Sequence, residues 1–254
     1  MIIPIPAFQD NYIWAVINTE RQCAIIVDPG DATPVISFLE ERQLTLSAIF
    51  ITHHHWDHTN GLSGLIKQYP DSLVFGSANS TIADLSHPVQ EAETVSVACF
   101  DSYQVIDIPG HTLDHIAYYA EGILFCGDTL FAGGCGRLFE GTADQLYASL
   151  QKLAAKPDDT KIYCAHEYTL NNLSFAETVE PSNQQIKQRI QRVKKLRDKN
   201  IPSLPSTLRE EKETNPFLRC NSPEIIHHVS QRAGYALHNP IMVFGALREM
   251  KNQW

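Results

Sequence analysis

The chain offers no apolar run approaching the ~20 residues that carry a helix across a bilayer, so no membrane partner is expected. Its six cysteines, at 23, 99, 126, 135, 164 and 220, include no Cys-x-x-Cys pair, which excludes the common thiolate zinc and dithiol redox motifs. Cys126 and Cys164 fall inside apolar runs, where a thiol serves as a small core side chain. The opening Met-Ile-Ile-Pro-Ile-Pro has neither a basic start nor a small-residue cleavage site, so no secretory signal is read there. With the scattered cysteines, this predicts a cytoplasmic protein. Positive charge is short as well: 20 Lys and Arg against 29 Asp and Glu leave a net −9, which argues against a nucleic-acid partner. There are no internal repeats or low-complexity segments, and no Ser or Cys is accompanied by a convincing base.

What is present is enough to bury a core. The 254 residues are 43% hydrophobic and 19% charged, sufficient for one large domain or a medium one with a smaller companion. The charge is unevenly spread. Residues 1–180 hold 7 basic and 23 acidic side chains, a net −16, whereas residues 181–254 hold 13 and 6, a net +7. An acidic part suits bound cations, and a basic part suits an anionic substrate arriving from the other side.

The first two-thirds repeat one pattern, a short apolar run entering a polar loop. Ala24–Val27 leads to Asp28-Pro29-Gly30, Ala48–Ile51 to a histidine cluster, and Tyr103–Ile108 to Pro109-Gly110-His111. Ile123–Cys126 leads to Gly127-Asp128-Thr129, and Lys161–Cys164 to Ala165-His166-Glu167. Glycine and proline at these junctions mark strand ends. Helical spacing marks Thr33–Arg42 and Ala143–Leu153, so strands and helices alternate as in a layered α/β domain. After about residue 170 the pattern turns helical. Ile186, Ile190, Val193 and Leu196 share a face, Thr207 with Glu210 resembles a capping box, and Ser222–Gln231 and Pro240–Lys251 read as further helices.

Residues 52–61, Thr-His-His-His-Trp-Asp-His-Thr-Asn-Gly, concentrate the chemistry. Neutral imidazoles and carboxylates are what divalent transition metals prefer, and crowding them without a metal gains nothing for folding. In an extended segment His53, His55 and Asp57 share a face while His54 points away, and His58 follows at the turn. Adding the distant loop residues gives seven candidate ligands. His53, His55 and His111 are assigned to a first metal, Asp57, His58 and His166 to a second, and Asp128 to both. Each metal then keeps room for a shared water. The mixed donor set accepts zinc, iron or manganese, with zinc the first choice. His54 reads as structural, His115 as a hydrogen-bonding neighbour, and Asp28 equally as a turn former or an orienter of a ligating histidine.

His-x-His-x-Asp-His at 53–58, with the later His111, Gly127-Asp128-Thr129 and His166, resembles the metallo-β-lactamase superfamily. Other stretches are similar to glyoxalase II, the hydroxyacylglutathione hydrolases. They are Phe8-Gln9-Asp10-Asn11-Tyr12, Phe131–Gly141, His166-Glu167-Tyr168-Thr169 with Asn171-Asn172, Asn215-Pro216-Phe217, and the Arg248/Lys251 ending. The similarity spans nearly the whole chain. It implies an α/β fold, an αββα sandwich over residues 1–168, followed by a smaller helical substrate-binding domain over 169–254. It also implies a monomer that hydrolyses S-D-lactoylglutathione to D-lactate and glutathione, the second step of methylglyoxal detoxification. A hydroxide bridging two metal ions would attack, with Asp57 and Asp128 as the catalytic carboxylates. Carried over by motif, Arg137, Phe139, Tyr168, Asn172, Arg248 and Lys251 are the substrate-binding residues. Phe139 stands where some members have Tyr, so one hydroxyl contact is absent.

Rival expectations come from the same fold. A glutathione persulfide dioxygenase would use one iron, and retention of Asp57 and His58 beside Asp128 favours the full two-metal set. A lactonase-type hydrolase or β-lactamase is disfavoured by Asp128 together with the tail motifs. A diiron electron-transfer protein would replace a cluster histidine by a carboxylate, which His55 does not do, and a pI near 5.6 disfavours RNA.

Overall fold

The computed structural model describes residues Met1–Trp254. Side-chain alternation along β2 (Asn11–Asn18) sets the architecture. Ile13, Ala15 and Ile17 enter one apolar cluster, and Tyr12, Trp14 and Val16 enter another, because successive side chains leave opposite faces of a strand. A strand buried on both faces needs a layer on each side.

The first sheet runs β1 (Ile2–Ala7), β2, β3 (Cys23–Val27), β4 (Thr45–Phe50), β5 (Leu73–Ser77) and β6 (His87–Val89), in chain order. Pairing is antiparallel through β3 and parallel from there to β6. The parallel crossovers carry α1 (Ala32–Glu41), the single turn α2 (Trp56–Thr59) and α3 (Leu62–Gln68). Val35, Leu39, Leu62 and Leu65 of α1 and α3 close over Ile26 and Ile49 on the outer face.

The second sheet comprises β7 (Thr94–Val95), β8 (Tyr103–Asp107), β9 (Ile116–Ala120) and β10 (Ile123–Gly127). A small hairpin, β11 (Leu130–Phe131) and β12 (Gly134–Cys135), and the helix α4 (Ala143–Ala154) follow. β13 (Lys161–Cys164) then pairs parallel with β10. The two sheets meet through aromatic side chains. Phe50 of β4 stacks on Tyr118 of β9 at 4.5 Å, and Trp14 meets Tyr163 of β13 edge-on at 5.0 Å. α4, opened by a capping box between Thr142 and Gln145, adds Leu146, Leu150 and Leu153 to the larger cluster. The result is an αββα sandwich, the layered α/β domain that the sequence pattern predicts in the form that the family resemblance implies.

The tail is helical: α5 (Thr169–Val179), α6 (Gln184–Arg197), α7 (Leu208–Thr214), α8 (Pro223–Ala233) and α9 (Pro240–Asn252). α6, α8 and α9 fall within a few residues of their expected bounds. Thr207 caps α7 by accepting from the Glu210 amide, but the Glu210 carboxylate turns to Arg189 and Arg192 instead of closing the box. α5 escapes sequence reading because its buried face carries the polar Thr169 and Asn172 beside Leu173, Phe175, Ala176 and Val179, which blurs the apolar stripe. Just before α7, β14 (Ser206–Thr207) pairs antiparallel with β13, so the tail completes one edge of the second sheet.

Candidate active site

Five strand ends deliver their loops to one edge of the sandwich. β3 ends before Asp28, β4 before residues 52–58, β8 before His111, β10 before Asp128 and β13 before His166. The two sheets are tied at this edge by an isolated bridge between Asn11 and His166, where the Tyr12 amide donates to the Ala165 carbonyl at 2.7 Å.

All seven candidate ligands converge. His53 Nε2 and His111 Nε2 each lie 3.1 Å from His55 Nδ1. His166 Nε2 is 3.4 Å from Asp57 Oδ2, and His58 Nε2 is 3.6 Å from the same oxygen. Asp128 stands between the two sets: Oδ1 lies 3.4 Å from His58 Nε2, and Oδ2 lies 3.5 Å from His111 Nε2 and 3.4 Å from His166 Nε2. Tetrahedral metal sites with bonds of ~2.0–2.1 Å separate their donors by roughly 3.3 Å, so these spacings match coordination edges.

Four of the five cluster histidines have the outward ring nitrogen, Nδ1, occupied, whereas His55 turns its Nδ1 inward. His58 Nδ1 donates to Asp28 Oδ2 at 3.0 Å, His166 Nδ1 to Asp10 Oδ1 at 2.8 Å, and His111 Nδ1 to the Arg137 carbonyl at 2.9 Å. His53 Nδ1 faces Thr52 Oγ1 at 3.1 Å, and that hydroxyl donates to Asp28. Each bond fixes the proton on the outer nitrogen and leaves the Nε2 lone pair facing inward. Asp28 takes a left-handed φ of +52° and accepts from the Thr52 amide, the Thr52 hydroxyl and His58 together, so it both turns the chain and orients a histidine. Gly127 is required beside it: a Cβ there would sit 2.3 Å from Thr52 Oγ1 and 2.9 Å from the His115 ring.

Electrostatics divide the histidines. Burial, reinforced by neighbouring imidazoles, lowers His53 and His55, and burial also lowers His111, so all three are neutral and present lone pairs to one another. Neutral imidazoles whose ring nitrogens converge at 3.1 Å can present their lone pairs to a shared cation. Burial opposes charge at His58 too, yet Asp128 and Asp28 raise it to about 10, and His166 is raised by Asp128 and Asp10. Despite burial, Asp57 and Asp128 are held below the usual carboxylate range by these same histidines. His58 Nε2 and Asp128 Oδ1 are buried without completing a hydrogen bond within the protein. The donor set therefore fits divalent metal ions.

His54 points away, as the alternation predicts, and bridges Asp114 at 2.9 Å and Glu140 at 3.4 Å. His115 accepts from the Asp128 amide at 3.1 Å and stacks on His53 at 4.5 Å. Asp10 and Asn11, which carry no role in the sequence beyond membership of a matching stretch, bind His166 and Asp57.

A cleft of about 640 Å³ opens from His111 and Asp128. All six motif-derived substrate residues line it, along with Asn171, which the matching stretch contains without an assigned role, and Asn252 and Trp254, which lie outside the motifs. Tyr168 stacks on His166 at 4.7 Å, and the exposed Phe139 ring stands over His55 and His111 at 5.4 and 5.2 Å. Asn172 and Arg248 are buried and also hold backbone, Asn172 the Ala132 carbonyl and Arg248 the Cys135 carbonyl. Burial, then the charges of Arg248 and Arg137, lowers Lys251 to about 8. Three cations pressed together with no acid among them suit an anionic ligand.

Residues 11–166 match the metallo-β-lactamase superfamily, and residues 167–254 match the hydroxyacylglutathione hydrolase C-terminus. The chain is 50% identical, over its full length and 98% of the relative's, to a hydroxyacylglutathione hydrolase of Nitrosomonas eutropha. It is 49% identical to hydroxyacylglutathione hydrolase 2 of Vibrio vulnificus over 98% of each chain. Solved structures of similar fold include ETHE1 from Myxococcus xanthus, at 25% identity and a TM-score of 0.67 over 99% of this chain and 98% of that one. The BLEG-1 B3 metallo-β-lactamase follows at 23% and 0.64, covering 86% and 98%. With every candidate ligand converging and the tail matched as well as the sandwich, the chain belongs to the hydroxyacylglutathione hydrolase family of the metallo-β-lactamase superfamily.

Proposed function

We propose that the protein hydrolyses S-D-lactoylglutathione and related S-2-hydroxyacylglutathiones to the hydroxy acid and glutathione. The observation that carries this reading is the single cleft with a His/Asp cluster at one end and Arg137, Arg248 and Lys251 along its wall. Glutathione has two carboxylates, and charge-assisted bonds to guanidinium and ammonium groups would hold them. Tyr168, Asn172 and Phe139 line the rest of the path to the cluster.

His53, His55 and His111 would hold one divalent ion and Asp57, His58 and His166 a second, with Asp128 shared and zinc the first choice. Such ions lower the pKa of water towards ~7 and polarise a carbonyl oxygen. The chain supplies orientation. Asp57 turns Oδ2 towards Asn11, His58 and His166, and would help to orient the attacking hydroxide. The departing thiolate comes from a thiol of pKa roughly 8.5, judged by cysteine, so it leaves without a strong acid beside it. We place the reaction in the cytoplasm, carried out by single chains of the 1–168 and 169–254 units acting together. All six cysteines are free thiols, which suits a reducing compartment.

A thioesterase assay on S-D-lactoylglutathione, with metal quantified in the same sample, tests the reading. About two ions per chain with release of free thiol is the expected result. One ion per chain with oxygen uptake would replace hydrolysis by oxidation.

A further inference from the structure

The loop Phe131–Gly136 joins Asp128 to Arg137, and its backbone is held almost group by group from the tail. Asn215 Nδ2 donates to the Phe131 carbonyl at 3.1 Å and to the Gly134 carbonyl at 2.9 Å. The Gly133 amide donates to Glu211 Oε2 at 2.7 Å. Asn172 and Arg248 take the Ala132 and Cys135 carbonyls, as described above. Asn172 and Arg248 reach the cleft, whereas Glu211 and Asn215 do not line it and are fully buried.

Glu211 is paired with Arg189, which is 2% exposed, at 2.6 Å. A buried ion pair seldom stabilises a fold over an apolar replacement, so its presence here calls for a local reason. The loop provides one. Its amide and carbonyls are away from water and must be satisfied within the protein. Both ends of the loop lead to the candidate metal centre. A Cβ on Gly136 would fall 2.0 Å from the Asp128 carbonyl, so the two strands of the loop lie in contact there. Downstream, the Arg137 carbonyl is the acceptor that fixes His111.

We propose that Glu211 and Asn215 are positioning residues for the metal centre. They hold the loop that aims Asp128, sets His111 through the Arg137 carbonyl, and presents the Arg137 side chain to the cleft. The proposal rests on the ligand assignment above. It gives the tail a task beyond substrate binding: it shapes a centre to which it supplies no ligand.

The test uses the full chain loaded with zinc. Asn215→Ala removes both donors to the loop. Asn183→Ala is the control, since Asn183 caps α6 and donates to the Glu213 carbonyl without touching the loop. Zinc transfer to a competing chelator and kcat are read well below each variant's melting temperature. Asn215→Ala is expected to release zinc, and to lose kcat, about 10- to 100-fold relative to wild type, the range seen for groups that support metal ligands. Asn183→Ala should match wild type in both. If Asn215→Ala fails to fold, Asn215→Ser, which keeps one donor, should show the same two changes at smaller size. Wild-type zinc retention and kcat in the Asn215 variant that folds would overturn the proposal, whatever its melting temperature. Zinc release is measured without substrate, so inactivity of the wild type on S-D-lactoylglutathione would sink the proposed reaction and leave this result to stand by itself.

Discussion

His166 Nδ1 donates to Asp10 Oδ1 at 2.8 Å, joining residues 156 positions apart at the seam between the two sheets. Asp10 thereby fixes the ring that faces both Asp57 and Asp128. Replacing it by Ala frees the imidazole to rotate and to exchange tautomers. Asp10→Ala is expected to weaken metal retention and activity about 10- to 100-fold, and Asp10→Asn by less, because an amide oxygen still accepts. Dialysis against chelator followed by metal analysis checks both.

Asp128 contacts both halves of the cluster, so no other residue replaces it. In Asp128→Ala, His58 and His166 lose the foremost of the acids that raise them, and the two sets lose their shared carboxylate. Metal content and turnover should both fall to background while the αββα fold persists by circular dichroism. Full metal loading in this variant would be incompatible with a shared carboxylate.

Lys251 gives substrate binding a pH limb. Its folded value, about 8, lies below the ordinary 10.5, so in the free protein the ammonium is disfavoured relative to the unfolded chain. That penalty is full below about 8 and absent above 10.5. A bound carboxylate reverses the preference. KM is therefore expected to rise as pH climbs through about 8, with kcat less affected. The rise should reach about 3- to 10-fold, moderated because the side chain is partly exposed. Lys251→Arg, charged throughout, should flatten the KM profile.

Phe139 is 64% exposed and reaches over His55 and His111. Phe139→Tyr would add a hydroxyl at the cleft mouth without loss of packing. One new hydrogen bond contributes about 0.5–1.5 kcal/mol, so KM for the glutathione thioester should drop about 2- to 10-fold. An unchanged KM would place the substrate backbone out of reach of the ring edge.

The metal cluster is legible in the sequence because it obeys local rules. His53 and His55 alternate along an extended segment as expected, although Asp57 and His58 stand on the single turn α2 that follows, and His111, Asp128 and His166 each follow an apolar run and a tight turn. The same rules place α1, α4 and the later helices. Partners fixed only by tertiary packing are not legible: nothing near Asp10 in the chain announces His166. Charge misleads in a similar way. Arg189 and Glu211 sit among solvated helix charges in the sequence, yet the folded chain buries both to meet the loop around Gly133. α5 lacks an amphipathic signature for a related reason, since Thr169 and Asn172, polar in the sequence, are buried on its inner face.

The two-residue strand Ser206–Thr207 lies along the outer rim of Lys161–Cys164. A chain truncated before it would therefore not yield a trimmed catalytic core. It would bare the hydrogen-bonding groups of Lys161–Cys164, and exposed rims of this kind recruit other chains. Aggregation, more than loss of affinity, is the fate to expect of any such shortened protein.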